Sequence, residues 1–233
     1  MYSNSLFFLR SSLGICPVLD CWQTVRLTLL LILAIGILGC NGQQKRNSLA
    51  ERRVGGPCEG CEALLEFGDR TLHSTDTLPG FKANTPKIKL TGTVFESDGK
   101  TPAENIILYF YHTNREGIYE KRGDETGWGR THGYIRGWLR TGPDGSYTLY
   151  TFRPGAYPSR REPEHIHLTV KEQGTIPYYL ESYHFEDDPL LTPAVRDNMR
   201  NRGGSGIVLP QSENGILTVH RDLILGMNIP DYN

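Results

Sequence analysis

The sequence predicts an all-β protein: an antiparallel β-sandwich core with long loops. Three observations predict it. Short stretches of alternating apolar and polar residues recur through residues 87–233, turn residues punctuate them, and almost no long stretch keeps a helical period. The 26 glycines, 14 prolines and 12 tyrosines agree with a turn-rich strand protein.

The chain divides into three segments. Residues 27–39 form a short apolar run after Arg26, too short to span a bilayer and suited to the core of a signal peptide. It ends in Ile37-Leu38-Gly39-Cys40, which resembles the lipobox of bacterial lipoproteins, with Cys40 as the lipidated residue. The expectation is therefore a signal peptide over 1–40 and an exported protein of the bacterial cell envelope, touching membrane only through that N-terminal lipid. Residues 41–53 are polar and aperiodic, as a tether is. They open a tether-and-loop segment, 41–86, in which Cys58 and Cys61 suit a local disulfide and residues 62–67 one helical turn.

The folded domain is expected over 87–233. Ile88, Leu90 and Val94 alternate with polar residues before the Asp98-Gly99 turn. The stretch 106–111 is apolar on both faces, hence a central strand. A long polar loop, 113–132, then separates it from a strand at 135–139. Pro143-Asp144-Gly145 turns the chain into a strand at 146–152. Further strands are expected at 165–171, 181–185, 206–209 and 216–225, with a short helix within 187–202.

Residues 153–167 concentrate the chemistry. They hold Tyr157, His165 and His167, and two histidines two apart on a strand point the same way. Ile166, Leu168 and Val170 take the opposite face, so the imidazoles need a cover to become a site. The loop carrying Tyr119 and the turn carrying Tyr157 are the candidates for it. Two phenols with two imidazoles suit a trivalent ion, because phenolate is a hard anionic donor; ferric iron is the natural choice. His112, His132 and His220 lack ligand spacing and are expected at the surface, His184 in the core or a pocket wall, and Trp138 in packing. A net charge of −1 carries no nucleic-acid footprint.

Residues 90–191 resemble the intradiol ring-cleavage dioxygenases, the group of catechol 1,2-dioxygenase and protocatechuate 3,4-dioxygenase. The matching pieces are Leu90-Thr91-Gly92-Thr93-Val94, Gly117-Ile118-Tyr119, Arg136-Gly137, Gly145-Ser146-Tyr147, Pro154-Gly155-Ala156-Tyr157-Pro158 and Pro163-Glu164-His165-Ile166-His167. The resemblance implies that Tyr119, Tyr157, His165 and His167 hold non-haem Fe(III), that Tyr157 doubles as ligand and base, and that the substrates are an aromatic diol and O2. The ring would open between its two oxygen-bearing carbons to a muconate-type diacid. Three departures stand out. Glu162 occupies the place of the family's arginine, leaving Arg161 or Arg160 as the nearby cation and Arg161 as the candidate. Tyr111 replaces a tryptophan, and Ser182 replaces a glutamine.

Two rivals remain open at this point. A cupin would use His165, His167 and Glu172, although Glu172 points away from the histidines on an unbroken strand. A lipid-anchored β-sandwich could instead be a binding module whose metal site is lost or structural.

Overall fold

A computed structural model describes residues 51–159 and 161–232. The signal-peptide and lipidation expectations for 1–40, Cys40 included, lie outside the described residues, as do residues 41–50 of the tether and Arg160. The described residues fall in a compact unit, Leu49–Asn233.

Eleven strands are described: β1 (Thr75–Thr77), β2 (Lys87–Phe95), β3 (Ile107–Tyr111), β4 (Arg136–Arg140), β5 (Ser146–Phe152), β6 (His165–Lys171), β7 (Tyr178–Phe185), β8 (Ile207–Val208), β9 (Gln211–Glu213), β10 (Ile216–His220) and β11 (Leu223–Ile224). A 3-10 helix spans Cys61–Phe67, and two short helices follow, α1 (Gly129–His132) and α2 (Pro193–Asp197). One sheet runs β1-β5-β2-β10-β9, with β11 beside the end of β2; the other runs β4-β3-β6-β7-β8.

The fold is an all-β sandwich, but its sheets are mixed rather than purely antiparallel. β1 pairs parallel to β5, β10 and β11 parallel to β2, and β8 parallel to β7. Alternation specifies which face a side chain takes and says nothing of the direction of the neighbouring strand, so these pairings left no trace in the pattern. The strand β1 itself has only three residues and lies in a stretch expected to be loop. Arg52, expected in the tether, forms a bridge to Thr175.

The inner faces of both sheets make the core. Leu90 and Leu149 from one sheet and Leu108, Phe110, Ile166, Leu168 and Val170 from the other are buried in one apolar cluster. Strand β3 is buried on both faces because a second cluster covers its outer side: Ile107, Tyr109 and Trp138 pack under Ala63 and Leu64 of the 3-10 helix. Trp138 Nε1 donates to the carbonyls of Ala63 and Leu64, at 3.2 and 2.9 Å. Cys58 and Cys61 are disulfide-bonded at the start of that helix. The outer face of this second sheet is thus roofed over β3 and β4.

Strand β7 departs from simple alternation. Leu180 pairs with Leu168 and Tyr183 with Ile166, so Glu181 and Ser182 together stand opposite the single residue His167. This is a β-bulge, a device that re-aims side chains beside functional sites. Both bulge residues are half-buried while Leu180 and Tyr183 are buried.

Candidate metal centre

His165 and His167 leave β6 on the outer face of the second sheet, opposite the aliphatic core residues. The strand is hydrogen-bonded on both sides, by β3 and β7, which holds the pair in place. Tyr119 and Tyr157 come from loops. Gly117 (φ +77°) and Gly155 let these loops touch: a Cβ on Gly117 would lie 2.0 Å from the carbonyl oxygen of Ala156, and one on Gly155 would lie 2.2 Å from that of Arg115. Only glycine permits such an approach. Asn114 fastens the crossing, its carbonyl accepting from Gly155 N at 2.9 Å and its side chain from Ile118 N at 3.0 Å.

Four polar atoms converge as a result. Tyr119 Oη lies 2.5 Å from Tyr157 Oη and 2.7 Å from His167 Nε2. Tyr157 Oη is 3.4 Å from His167 Nε2, and His165 Nε2 is 3.1 Å from His167 Nε2. His165 Nδ1 donates to the Pro163 carbonyl at 2.7 Å, which leaves its Nε2 as a bare lone pair. Burial pushes the pKa of both phenols up and of both imidazoles down; Tyr119 is raised further by its bond to Tyr157. The protein alone therefore favours protonated phenols and neutral imidazoles.

This donor set fits a cation. Donors bound to one first-row ion at about 2.0–2.2 Å lie roughly 3 Å from one another, and the separations here are of that size. A bare nitrogen facing another ring nitrogen is poorly satisfied without one. The described residues hold no group of three or more His, Cys, Asp and Glu side chains placed for a metal, so any metal here depends on the two phenols.

An aromatic stack sets the ring orientation. Tyr111 lies parallel to His167, with centroids 4.3 Å apart, and to His132 on its other face at 3.8 Å. Tyr109 Oη reaches His132 Nδ1 at 2.9 Å. The surface expectation for two other histidines is corrected here. His132 is 5% exposed beneath the disulfide loop, and His112 is 1% exposed between the sheets, where its Nδ1 donates to the Thr113 carbonyl at 2.7 Å and its Nε2 accepts from Thr151 Oγ1 at 2.6 Å. Strand-end and loop positions give no alternation to read, which is why burial was missed. His220 is exposed.

A cavity of about 440 Å³ opens against the histidines, lined in part by Arg161, Glu162, His165, His167, Glu181 and His184. Arg161 lines its wall and makes no hydrogen bond or ion pair among the described residues. The Glu162 carboxylate, also in the lining, pushes both phenols up. Glu172 is elsewhere, accepting from the Tyr178 and Tyr232 hydroxyls at 2.6 and 2.8 Å, so the cupin alternative loses its third ligand. Glu181 is a cavity residue that alternation could not reveal, because the bulge turns it inward.

The chain is 28% identical over 131 residues to the protocatechuate 3,4-dioxygenase beta chain of Burkholderia cepacia, covering 50% of this chain and 55% of that protein. The resemblance to the intradiol dioxygenases holds. The chain spans about half the length of this relative, and no family model matches it. Among solved structures, the dioxygenase domain of a dioxygenase–carbohydrate-binding fusion from Streptomyces sp. SirexAA-E superimposes with a TM-score of 0.49 at 24% identity, covering 69% of this chain and 94% of that one. Catechol 1,2-dioxygenase from Acinetobacter sp. ADP1 gives 0.47 at 18%, covering 66% and 58%.

Proposed function

We propose that the protein is a non-haem Fe(III)-dependent intradiol dioxygenase that incorporates both atoms of O2 into a catechol-type diol and releases a muconate-type diacid. The observation that carries the reading is the convergence of Tyr119, Tyr157, His165 and His167 at separations of 2.5–3.4 Å beside an open cavity. The intradiol relative in Burkholderia cepacia supports the reaction class.

The four side chains would hold the metal, the phenols as anions and the imidazoles as neutral donors. A ferric ion held there would supply the Lewis acidity for ionising a bound diol and for keeping the phenols deprotonated against their burial. His165 is held in the ligating tautomer by Pro163. The family resemblance gives Tyr157 the second role: on its turn beside the cavity it would leave the metal and take a proton from the diol at Oη. His184 Nδ1 faces the Ser182 carbonyl at 3.1 Å, which leaves Nε2 as an acceptor at the cavity wall. Arg161 on the cavity wall is the residue to meet negative charge on the product.

We further propose export and lipid anchoring through Cys40. The apolar run and lipobox-like ending support it, as does a Cys58–Cys61 disulfide, which suits an oxidising compartment. Among the described residues no helix is long and apolar enough to cross a membrane.

The test is iron content, the visible spectrum and oxygen uptake with catechols. Iron-loaded protein is expected to be coloured by tyrosinate-to-iron charge transfer, and Tyr119→Phe to lose most of that band. Colourless protein after iron loading overturns the reading and leaves a β-sandwich binding module.

A further inference from the structure

The cavity beside the four donors carries an uneven set of charges. Glu162 enters from the turn before β6, and Glu181 enters from the β7 bulge opposite His167. Arg161 is the one arginine or lysine among the described lining residues. Neither Glu162 nor Glu181 enters an ion pair among the described residues. Glu162 lines the same cavity as His165 and His167, the wall from which a diol would reach the donors. Two carboxylates against one guanidinium leave the described lining of the cavity negative.

We propose that this cavity selects its diol by charge, accepting uncharged and amine-bearing catechols and rejecting carboxylated ones, with Glu162 and Glu181 as the specificity-determining residues. The proposal rests on the dioxygenase reading for its diol. Its physical basis is separate: a like charge a few ångströms away in a partly buried site weakens binding by roughly tenfold, and an opposite charge strengthens it by a similar factor. The bulge is what makes the second carboxylate available. Unbulged pairing would give Glu181 and Ser182 opposite faces, whereas here both line the cavity.

The experiment compares 3,4-dihydroxybenzoate, 4-methylcatechol and 2-(3,4-dihydroxyphenyl)ethylamine on the iron-loaded full chain, by oxygen uptake and by anaerobic titration calorimetry. The amine and the methylcatechol are expected to exceed the benzoate by about tenfold or more in kcat/KM and in affinity. Glu162→Gln and Glu181→Gln are each expected to narrow that ratio, and the double variant to remove most of it. Glu162 is exposed, so its variant keeps the fold. Equal or better use of the benzoate by the unaltered protein overturns the proposal, as does an unchanged ratio in the double variant. Turnover of all three without preference overturns the proposal and leaves the dioxygenase reading standing. Charge-ordered binding without turnover does the reverse, and absence of both binding and turnover overturns the two together.

Discussion

Tyr111 stacks on His167 with ring planes 12° from parallel, and the two residues are cross-strand partners between β3 and β6. The ring of one candidate ligand is therefore oriented by a neighbour that stacks on it without a hydrogen bond to the four donors. Tyr111→Phe is expected to keep metal affinity, because the stacked face remains. Tyr111→Ala is expected to weaken it by about ten- to a hundredfold, the size seen when support for a ligand is removed. Competition with a chelator, followed by the visible band, checks both; equal loss in the two variants would sink the idea.

Gly117 governs how closely the two tyrosines approach. Gly117→Ala puts a methyl 2.0 Å from the Ala156 carbonyl at a φ of +77°. The conformation alone costs about 1–2 kcal/mol, and the clash must push the 153–157 turn away from the 113–119 loop. Reduced stability to urea together with loss of iron is expected. A control at Gly123, whose Cβ would meet nothing within 4 Å although φ is +99°, should lower stability only modestly and leave iron binding alone.

His112 makes the fold sensitive to acid. Burial pushes its pKa down to about 4, from an ordinary value near 6.5. The unfolded chain therefore takes up the proton first as pH falls. Stability from this site is full above about pH 6.5 and is lost progressively down to about pH 4, by up to about 3 kcal/mol. His112→Gln should be less stable at pH 7, having lost the Thr151 bond, yet show a shallower decline between pH 7 and pH 4 in urea titrations. An unchanged slope would place the acid sensitivity elsewhere.

The Cys58–Cys61 bridge anchors the 3-10 helix that roofs Tyr109 and Trp138. Its covalent loop is short, so the entropic contribution is about 2 kcal/mol. Cys58→Ser with Cys61→Ser is expected to lower thermal stability by that order. Because a second cavity of about 190 Å³ is lined by Cys58, Gly60, Tyr111 and His167, the double variant should also shift the visible band. Reductant should reproduce both effects in the unaltered protein and neither in the variant.

Much of the scaffold was legible because the relevant strands alternate cleanly. Ser146–Phe152 and His165–Lys171 have the bounds that alternation and the Pro143-Asp144-Gly145 turn indicate, and the histidines face away from Ile166 and Leu168. The parallel partners of β2 were hidden, since they arise from a late return of the chain through β10 and β11. The expected strand 216–225 is broken at Arg221, whose guanidinium turns inward to the Glu181 carbonyl. At the site, two-residue spacing pairs the imidazoles, but nothing local tells that a loop from Gly117 crosses a turn from Gly155. That crossing is a long-range packing fact. Glu181 was concealed for a related reason: a bulge breaks the period on which the faces are read.

The imidazoles belong to a strand bonded on both edges, whereas the phenols hang from loops fastened to each other by carbonyl contacts and Asn114. The two halves of the donor set should consequently differ in how often they open. A fluctuation that frees the loops need not disturb β6, so the histidine pair persists as a template onto which the tyrosines can close again. Amide exchange faster in 113–119 and 153–157 than in His165–Lys171 would be the mark of a centre that assembles from one side.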